Sequence, residues 1–137
     1  MKICLECSNQ LSKRHSVKYC SNKCQRNHIY SIYIARWKLG KEDGARGIST
    51  KSLSKNVIRY VFDKYNSKCA ICDWNRVSPY TNNIMLEVDH IDGNSENNSE
   101  ENLILLCPNC HSLTKNYKNL NKGHGRLWRR EKYVKIV

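Results

Sequence analysis

The polar residues best suited to chemistry lie within residues 86–119. An adjacent Asp89–His90 pair is followed first by Asn102 and then by His111. Hydrolysis of a phosphodiester needs a base that titrates near neutral pH, which histidine supplies, and a hard cation on the phosphate oxygens. Adjacent residues of a strand point to opposite faces, so Asp89 and His90 could serve a metal ion and a water molecule separately. These residues predict a hydrolytic site.

Local patterns predict two strands joined by a loop as the frame of this stretch. Before the Asp–His pair, apolar and polar residues alternate, so that Glu87 and Asp89 share one face of a strand. The polar segment 92–98 contains Gly and Asn residues that are typical of turns. The apolar run 103–106 then predicts a second strand, with the loop between the two.

A helix is predicted to follow the second strand. Pro108 suits the first turn of a helix, because proline lacks the N–H group that would be unpaired there. We expect this helix to carry His111, Lys115 and Asn116. The strand, loop, strand and helix would then gather the polar residues where they meet.

The eight cysteines fall into close pairs: Cys4/Cys7, Cys20/Cys24, Cys69/Cys72 and Cys107/Cys110. Three pairs have the Cys-x-x-Cys spacing, at which a turn presents two thiolates to one zinc ion, although an even count also allows disulfides. The sequence shows no signal peptide and no transmembrane stretch, so we expect a cytoplasmic protein that is not secreted. A reducing cytosol favours metal over disulfides. The prediction is two structural Zn²⁺ sites, each with four cysteines.

The composition is strongly basic. The 137 residues include 24 Lys and Arg against 12 Asp and Glu, which gives a net charge of +12. Nucleic acid is the expected partner, because phosphate neutralisation rewards such a surface. A basic face without any target is the alternative. The residues predicted to contact DNA are Lys13, Arg14, Lys115, Arg126, Arg129 and Arg130.

The polar residues resemble the motif of the HNH nuclease family, whose fold is the ββα-metal (His-Me) finger. The matching residues are the acidic–His pair Asp89-His90, the middle Asn102 and the last His111. The resemblance implies that His90 activates a water molecule and that Asn102 orients His90. It also implies that Asp89 and His111 hold one catalytic divalent cation, Mg²⁺ or Mn²⁺. It is strongest over residues 69–119.

The resemblance and the cysteines together imply a small α+β fold stabilised by zinc. The predicted parts are a Cys4 zinc finger at 1–28, a helical linker region with a Gly-rich turn at 29–66, a nuclease module with its own Cys4 zinc at 67–120, and a basic tail at 121–137. This arrangement also resembles small phage-encoded HNH proteins, including free-standing homing endonucleases. In that case the protein would act in the cytoplasm of a bacterial host cell.

Several alternatives stay open from the sequence. Asp89 and His90 could be ordinary surface residues, with His111 as a zinc ligand. The chain could be a zinc-finger DNA-binding protein that has the fold without the activity. The N-terminal finger could read bases or act only as a folding nucleus. An active enzyme could nick DNA or cut both strands, and it could work as a monomer or as a DNA-dependent dimer, because one such site cuts one strand at a time.

Overall fold

The protein is described by a computed structural model over residues 1–12, 17–47 and 52–122. The chain divides into two compact units, Met1–Glu42 and Asp43–Val137. The boundary falls inside the predicted linker region 29–66. The four-part division of the sequence stays a prediction. No helix within the described ranges is both long and apolar enough to span a membrane.

Helix α1, Asn22–Lys38, lies in the first unit. It begins at Ser21, whose Oγ accepts a hydrogen bond from the backbone N–H of Cys24 at 3.2 Å. This contact satisfies one of the four N–H groups that a helix leaves unpaired at its start. Because Cys24 lies in this first turn, the helix cap also fixes the position of its thiol.

The apolar side chains of α1 are only partly buried. Trp37 and Ile34 are 5% and 8% exposed, whereas Ile29 is 53% exposed. The helix therefore packs mainly through its C-terminal half. Gly40 follows the helix with a φ of 71°, a left-handed conformation that glycine adopts without a steric penalty and that commonly ends helices.

Helix α2, Lys55–Lys64, lies in the second unit. The buried Ser54 begins it, since its Oγ accepts a hydrogen bond from the backbone N–H of Val57 at 3.2 Å. Val57 and Val61, one turn apart, are 0% and 2% exposed. Complete burial of a valine side chain stabilises a fold by ~1.5–3 kcal/mol, so this face anchors the helix.

A two-stranded antiparallel sheet forms the centre of the second unit. Strand β1, Glu87–His90, pairs with β2, Leu103–Leu106, so that Asp89 lies opposite Ile104. β2 packs against α2, and the most deeply buried side chains of β2 are Leu103, Leu105 and Leu106. One strand is therefore almost wholly core, which leaves the other to carry the polar residues.

Helix α3, Pro108–Ser112, follows β2 directly and contacts both strands. The prediction that this helix carries Lys115 and Asn116 is wrong, because the helix ends at Ser112. The backbone N–H of Leu113 turns back to the carbonyls of Cys110 and His111, which closes the last turn. His111 therefore lies in the last turn of α3, close to the end of the helix.

Candidate active site and metal centres

Two carboxylates of β1 flank the imidazole of His111 on α3. His111 Nδ1 lies 2.9 Å from Glu87 Oε2, and His111 Nε2 lies 3.7 Å from Asp89 Oδ1. Glu87 and Asp89 are two residues apart on a strand, so both face the same way. Asp89 and His111 are 20% and 26% exposed in their side chains, while Glu87 is 64% exposed. The group is open to solvent on one side.

The protonation pattern of this group leaves room for a cation. A carboxylate only accepts, so Nδ1 of His111 must donate its hydrogen to Glu87. In the neutral ring, Nε2 then presents a lone pair toward the oxygen of Asp89. Two ligand atoms that each lie about 2.1 Å from one cation are at most about 4.2 Å apart, and the observed 3.7 Å is within that limit. The Asp89–His111 pair therefore fits a divalent ion.

The ring of His111 is also held by a residue of the segment that follows α3. The ring of Tyr117 meets it edge-on, with 5.3 Å between the ring centroids. Edge-to-face packing of aromatic rings is a favourable geometry. Together, the hydrogen bond to Glu87 and this contact restrict the rotation of the imidazole.

His90 is held by Asn98, which corrects the prediction that Asn102 orients it. The Nε2 atom of His90 lies 2.8 Å from Oδ1 of Asn98. Within the part of the chain that the structure describes, no hydrogen bond joins His90 to Asn102. His90 neighbours Asp89 on β1, so its side chain leaves the opposite face of the strand.

Asn102 holds the loop between the strands instead. Its amide nitrogen donates to Asp92 Oδ1 at 2.9 Å and to the carbonyl of Asn97 at 2.8 Å. Its side-chain oxygen accepts from the backbone N–H of Asp92 at 3.0 Å. Both N–H donors and one lone pair of Oδ1 are used inside the loop, and Asn102 is only 7% exposed. The side chain of Asn102 is therefore directed into the loop, and His90 has Asn98 as its hydrogen-bond partner instead.

Asp92 shows the electrostatic effect of this loop. Partial burial raises the pKa of its carboxyl, but hydrogen bonds donated by Asn97, Asn94 and Asn102 outweigh burial and hold the pKa below its ordinary value of 3.8. The positive charge that His90 can carry acts in the same direction. Asp92 is therefore an ionised brace of the loop near neutral pH.

The segment after α3 closes over the same loop. The side-chain amides of Asn116 and Asn121 donate to the carbonyls of Ile91 and Gly93, at 3.0 and 2.9 Å. Gly93 has a φ of 75°, and a Cβ atom there would overlap both amides. The side chain of Asn116 is thus bound to the backbone of this loop.

The second cysteine cluster consists of Cys69, Cys72, Cys107 and Cys110, whose sulfurs all lie within 4.8 Å of one another. Cys72 Sγ and Cys107 Sγ are 3.7 Å apart. A disulfide bond would bring sulfurs to about 2.05 Å, whereas four sulfurs about 2.3 Å from a central zinc ion are about 3.8 Å apart. The cluster has the spacing of a metal site.

The thiol pKa values in the second cysteine cluster are pushed apart. Burial raises the pKa of Cys69, but backbone N–H groups of Cys107 and Cys72 outweigh it and lower the pKa to about 6. Sharing a proton with the Cys72 thiol raises the pKa of Cys110 to about 12. One thiol thus ionises easily, and its negative charge disfavours ionisation of the thiols beside it. A bound cation is therefore needed to keep all four sulfurs ionised.

The first cysteine cluster consists of Cys4, Cys7, Cys20 and Cys24, whose sulfurs also lie within 4.8 Å of one another. Cys20 Sγ lies 3.6 Å from that of Cys7 and 3.4 Å from that of Cys24. The backbone N–H of Cys7 is the largest influence that lowers the pKa of Cys4 to about 6. The thiols of Cys24 and Cys7 raise the pKa of Cys20 to about 12. Both clusters could hold a metal ion.

Of the residues predicted to contact DNA, only Lys115 falls in the described part of the chain. It is exposed and lies just beyond α3. The other predicted contacts lie outside the described residues: Lys13, Arg14, Arg126, Arg129 and Arg130.

Sequence reasoning missed two residues of this site. Glu87 was predicted to share a strand face with Asp89. Because the two residues are two positions apart, this pattern could have indicated that Glu87 also reaches His111. Asn98 is one of several asparagines in the loop, and no local pattern distinguishes it. Its contact with His90 depends on how the loop folds back over β1.

Comparison with known proteins finds a family and a relative that resemble part of the chain. A family model described as HNH endonuclease matches residues 69–116. Over 40 residues the chain is 55% identical to the H-N-H endonuclease F-TflIV of Escherichia phage T5. These residues make up 29% of this chain and 18% of the phage protein, so the chain is similar to only a small part of that relative. No solved structure matches the chain significantly.

Proposed function

We propose that the chain is a metal-dependent DNA endonuclease built on a ββα-metal finger, and the premise is that residues 69–116 match the HNH endonuclease family. The observation that carries the proposal is the placement of its polar groups. Asp89 and His111 face each other at 3.7 Å on one side of β1, and His90 leaves the other side with its ring oriented by Asn98. Metal and base thus have separate positions on neighbouring residues.

His90 is the proposed general base. Its Nε2 is occupied by the hydrogen bond to Asn98, so the lone pair of the neutral ring lies on Nδ1. That nitrogen can take a proton from a water molecule as the water attacks the scissile phosphate. A general base of this kind contributes about 10²–10⁴-fold to the rate.

Asp89 and His111 are the proposed ligands of the catalytic cation. An aspartate oxygen with an imidazole nitrogen suits Mn²⁺ and, with water in the remaining positions, Mg²⁺. When bound, this cation would supply charge neutralisation for the phosphate oxygens and the leaving 3′-oxygen. The two cysteine clusters are proposed to hold structural Zn²⁺, the ion that four thiolates prefer.

Asn102 is proposed to act through the loop and not at the reacting atoms. By bonding to Asp92 and to the carbonyl of Asn97, it fixes the segment that carries Asn98. The catalytic role that the family resemblance implied for Asn102 is thereby indirect.

Double-stranded DNA is the proposed substrate. The net charge of +12 favours a polyanionic partner. We propose phosphate contacts for the exposed Lys115 and for basic residues outside the described ranges: Lys13, Arg14, Arg126, Arg129 and Arg130. The phage origin of the relative favours action in a bacterial host cell, and a homing role follows from the resemblance alone. One site in each chain predicts nicking by a monomer, or double-strand cleavage by a DNA-dependent dimer.

A non-catalytic zinc-finger DNA-binding protein is the alternative. It would retain both cysteine clusters and the basic surface, since these features do not require cleavage. The close approach of Asp89 to His111 and the hydrogen bond that orients His90 favour an endonuclease over this alternative. DNA binding alone requires neither contact.

The deciding experiment is incubation of supercoiled plasmid with the zinc-loaded protein and Mg²⁺ or Mn²⁺, with EDTA as the metal-free arm. We expect nicking that EDTA abolishes. His90→Ala should lower the rate by at least ~10²-fold with DNA affinity unchanged, because a general base acts on the transition state. His28→Ala is the matched control, since His28 pairs with Glu6 at 3.5 Å in the first unit. Equal rates for the wild type and His90→Ala would refute the proposed base.

A further inference from the structure

Asn98 is a buried polar residue whose side chain is used at both ends. It is 6% exposed. Its Oδ1 lies 2.8 Å from His90 Nε2, and its Nδ2 donates to the backbone carbonyl of Asp43 at 3.0 Å. Asparagine is rarely buried without such partners, since an unpaired amide in the interior costs ~1–3 kcal/mol. The side chain therefore bridges β1 to a segment 55 residues earlier in the chain.

The carbonyl of Asp43 determines which way the amide of Asn98 points. A backbone carbonyl only accepts, so it must face the NH₂ group, and the amide oxygen must then face His90. An amide oxygen also only accepts, so Nε2 of His90 must carry the hydrogen. In the neutral ring this leaves Nδ1 unprotonated. The tautomer of the base is thus set by a residue two contacts away.

The carbonyl of Asp43 is itself in a fixed position. The carboxylate of Asp43 accepts a hydrogen bond from the backbone N–H of Ala45 at 2.9 Å, which closes a local turn. In the same turn, the carbonyl of Gly44 accepts from the backbone N–H of Ser54 at 2.9 Å. Ser54 is the buried residue that begins α2. The chain of contacts therefore runs from the start of a core helix to the imidazole.

We propose that Asn98 is the positioning residue of the general base: it fixes the Nε2–H tautomer and the orientation of His90, and it is held in turn by the carbonyl of Asp43. This inference rests on the proposed function, in which His90 is the base. It assigns to Asn98 the role that the family resemblance implied for Asn102.

The first test is spectroscopic and needs no catalysis. ¹⁵N NMR of the imidazoles in the full-length, zinc-loaded protein, at a pH where the ring is neutral, identifies the protonated nitrogen, and His90→Gln assigns the signal. We expect Nε2–H in the wild type and a mixture of tautomers in Asn98→Ala. Asn98→Asp keeps an acceptor of the same size and should restore Nε2–H. The matched control is Asn94→Ala, which removes a loop hydrogen bond to the N–H of Glu96 and nothing at His90.

The second test is kinetic. Asn98→Ala should lower kcat for plasmid nicking by at least about 10-fold, with KM for DNA within about 2-fold. Asn98→Asp keeps the acceptor for His90 but loses the bond to Asp43, so it should recover part of kcat. A purely structural role would not produce this recovery together with the tautomer change.

The outcomes separate this proposal from the proposed function. An unchanged tautomer and an unchanged kcat in Asn98→Ala overturn it. If Asn98→Ala fails to fold, the isosteric Asn98→Asp decides: retention of Nε2–H supports the proposal, and its loss overturns it. If the wild-type protein cuts no DNA, the proposed function fails, while the tautomer comparison still decides the role of Asn98.

Discussion

The first and second cysteine clusters bring their sulfurs to nearly the same separation, 3.6 Å between Cys7 and Cys20 and 3.7 Å between Cys72 and Cys107. They differ in the chain between them, since the two pairs are 13 residues apart in the first cluster and 35 in the second. Closing the longer loop costs about 0.9 kcal/mol more entropy, because the cost grows as 3/2 RT ln n.

The longer loop of the second cluster contains Asp89 and His90 of the proposed active site, and His111 follows directly after it. β1, the polar loop and β2 all lie between Cys72 and Cys107, and Cys107 begins α3 by accepting the N–H of Cys110. A metal ion at the second cluster would therefore fix the helix that carries His111 relative to the strand that carries Asp89. The first cluster closes a short loop beside α1. The same thiolate chemistry thus has a local effect in one unit and an effect on the active site in the other.

Matched substitutions of two exposed cysteines give the largest expected difference. Cys72→Ser should lose one zinc, unfold the second unit and abolish nicking, because the apparent binding energy of a structural zinc is ~10–16 kcal/mol. Cys7→Ser should also lose one zinc but keep plasmid nicking at low salt. Native mass spectrometry counts the zinc ions, and circular dichroism follows the fold. If Cys7→Ser were as inactive as Cys72→Ser, the distinction between the two clusters would be lost.

A smaller effect is expected at Glu87, which accepts a hydrogen bond from His111, the proposed imidazole ligand of the catalytic cation. Glu87→Ala should weaken Mn²⁺ binding by about 10-fold, the low end for a residue that holds a metal ligand, because Glu87 is 64% exposed. Glu87→Gln keeps an acceptor for His111 Nδ1 and should lose less. Electron paramagnetic resonance measures the bound Mn²⁺, and both zinc ions should remain. Unchanged Mn²⁺ affinity in Glu87→Ala would show that His111 needs no such support.

Particular residues show how far the sequence predicts this structure. The cysteine spacing predicted both clusters, because each short motif presents two thiols on one turn and two such motifs supply the four ligands of one zinc ion. Alternation along β1 placed Glu87 beside Asp89. The predicted length of α3 was wrong. The helix ends where the N–H of Leu113 bonds back to Cys110 and His111, and no glycine or proline marks this end in the sequence. The partner of His90 was missed, since the position of Asn98 depends on Asp43, far away in the chain.

The loop should respond to acid through Asp92. Its pKa is lowered in the folded protein, so the stability that its carboxylate contributes is complete above the ordinary value of 3.8 and is lost as pH falls through the folded pKa. Asp92→Asn should lower the free energy of unfolding at pH 7 by on the order of 1 kcal/mol, a small value because the carboxylate is only slightly buried and solvent screens its charge. Denaturant unfolding between pH 2 and pH 7 measures this. The variant should lose less stability in acid than the wild type, and parallel pH curves would contradict the assignment.

The smallest expected effect concerns DNA affinity. Lys115→Ala should lower the slope of log affinity against log salt by about 0.9, the value for one phosphate contact. Joint replacement of Arg126, Arg129 and Arg130 by Ala should lower it by up to about 2.7, uniformly across DNA sequences. Fluorescence anisotropy at several salt concentrations measures both. An unchanged slope would remove the residue concerned from the proposed DNA contacts.

The central claim is that the chain uses two kinds of metal site, cysteine clusters for structure and the Asp89–His111 pair for catalysis. Asp89→Ala tests it most directly when zinc content and nicking are measured on the same zinc-loaded sample. We predict two zinc ions by native mass spectrometry, an unchanged fold and a loss of Mg²⁺-dependent nicking. Departure of one zinc ion with Asp89, or nicking at the wild-type rate, would contradict the claim.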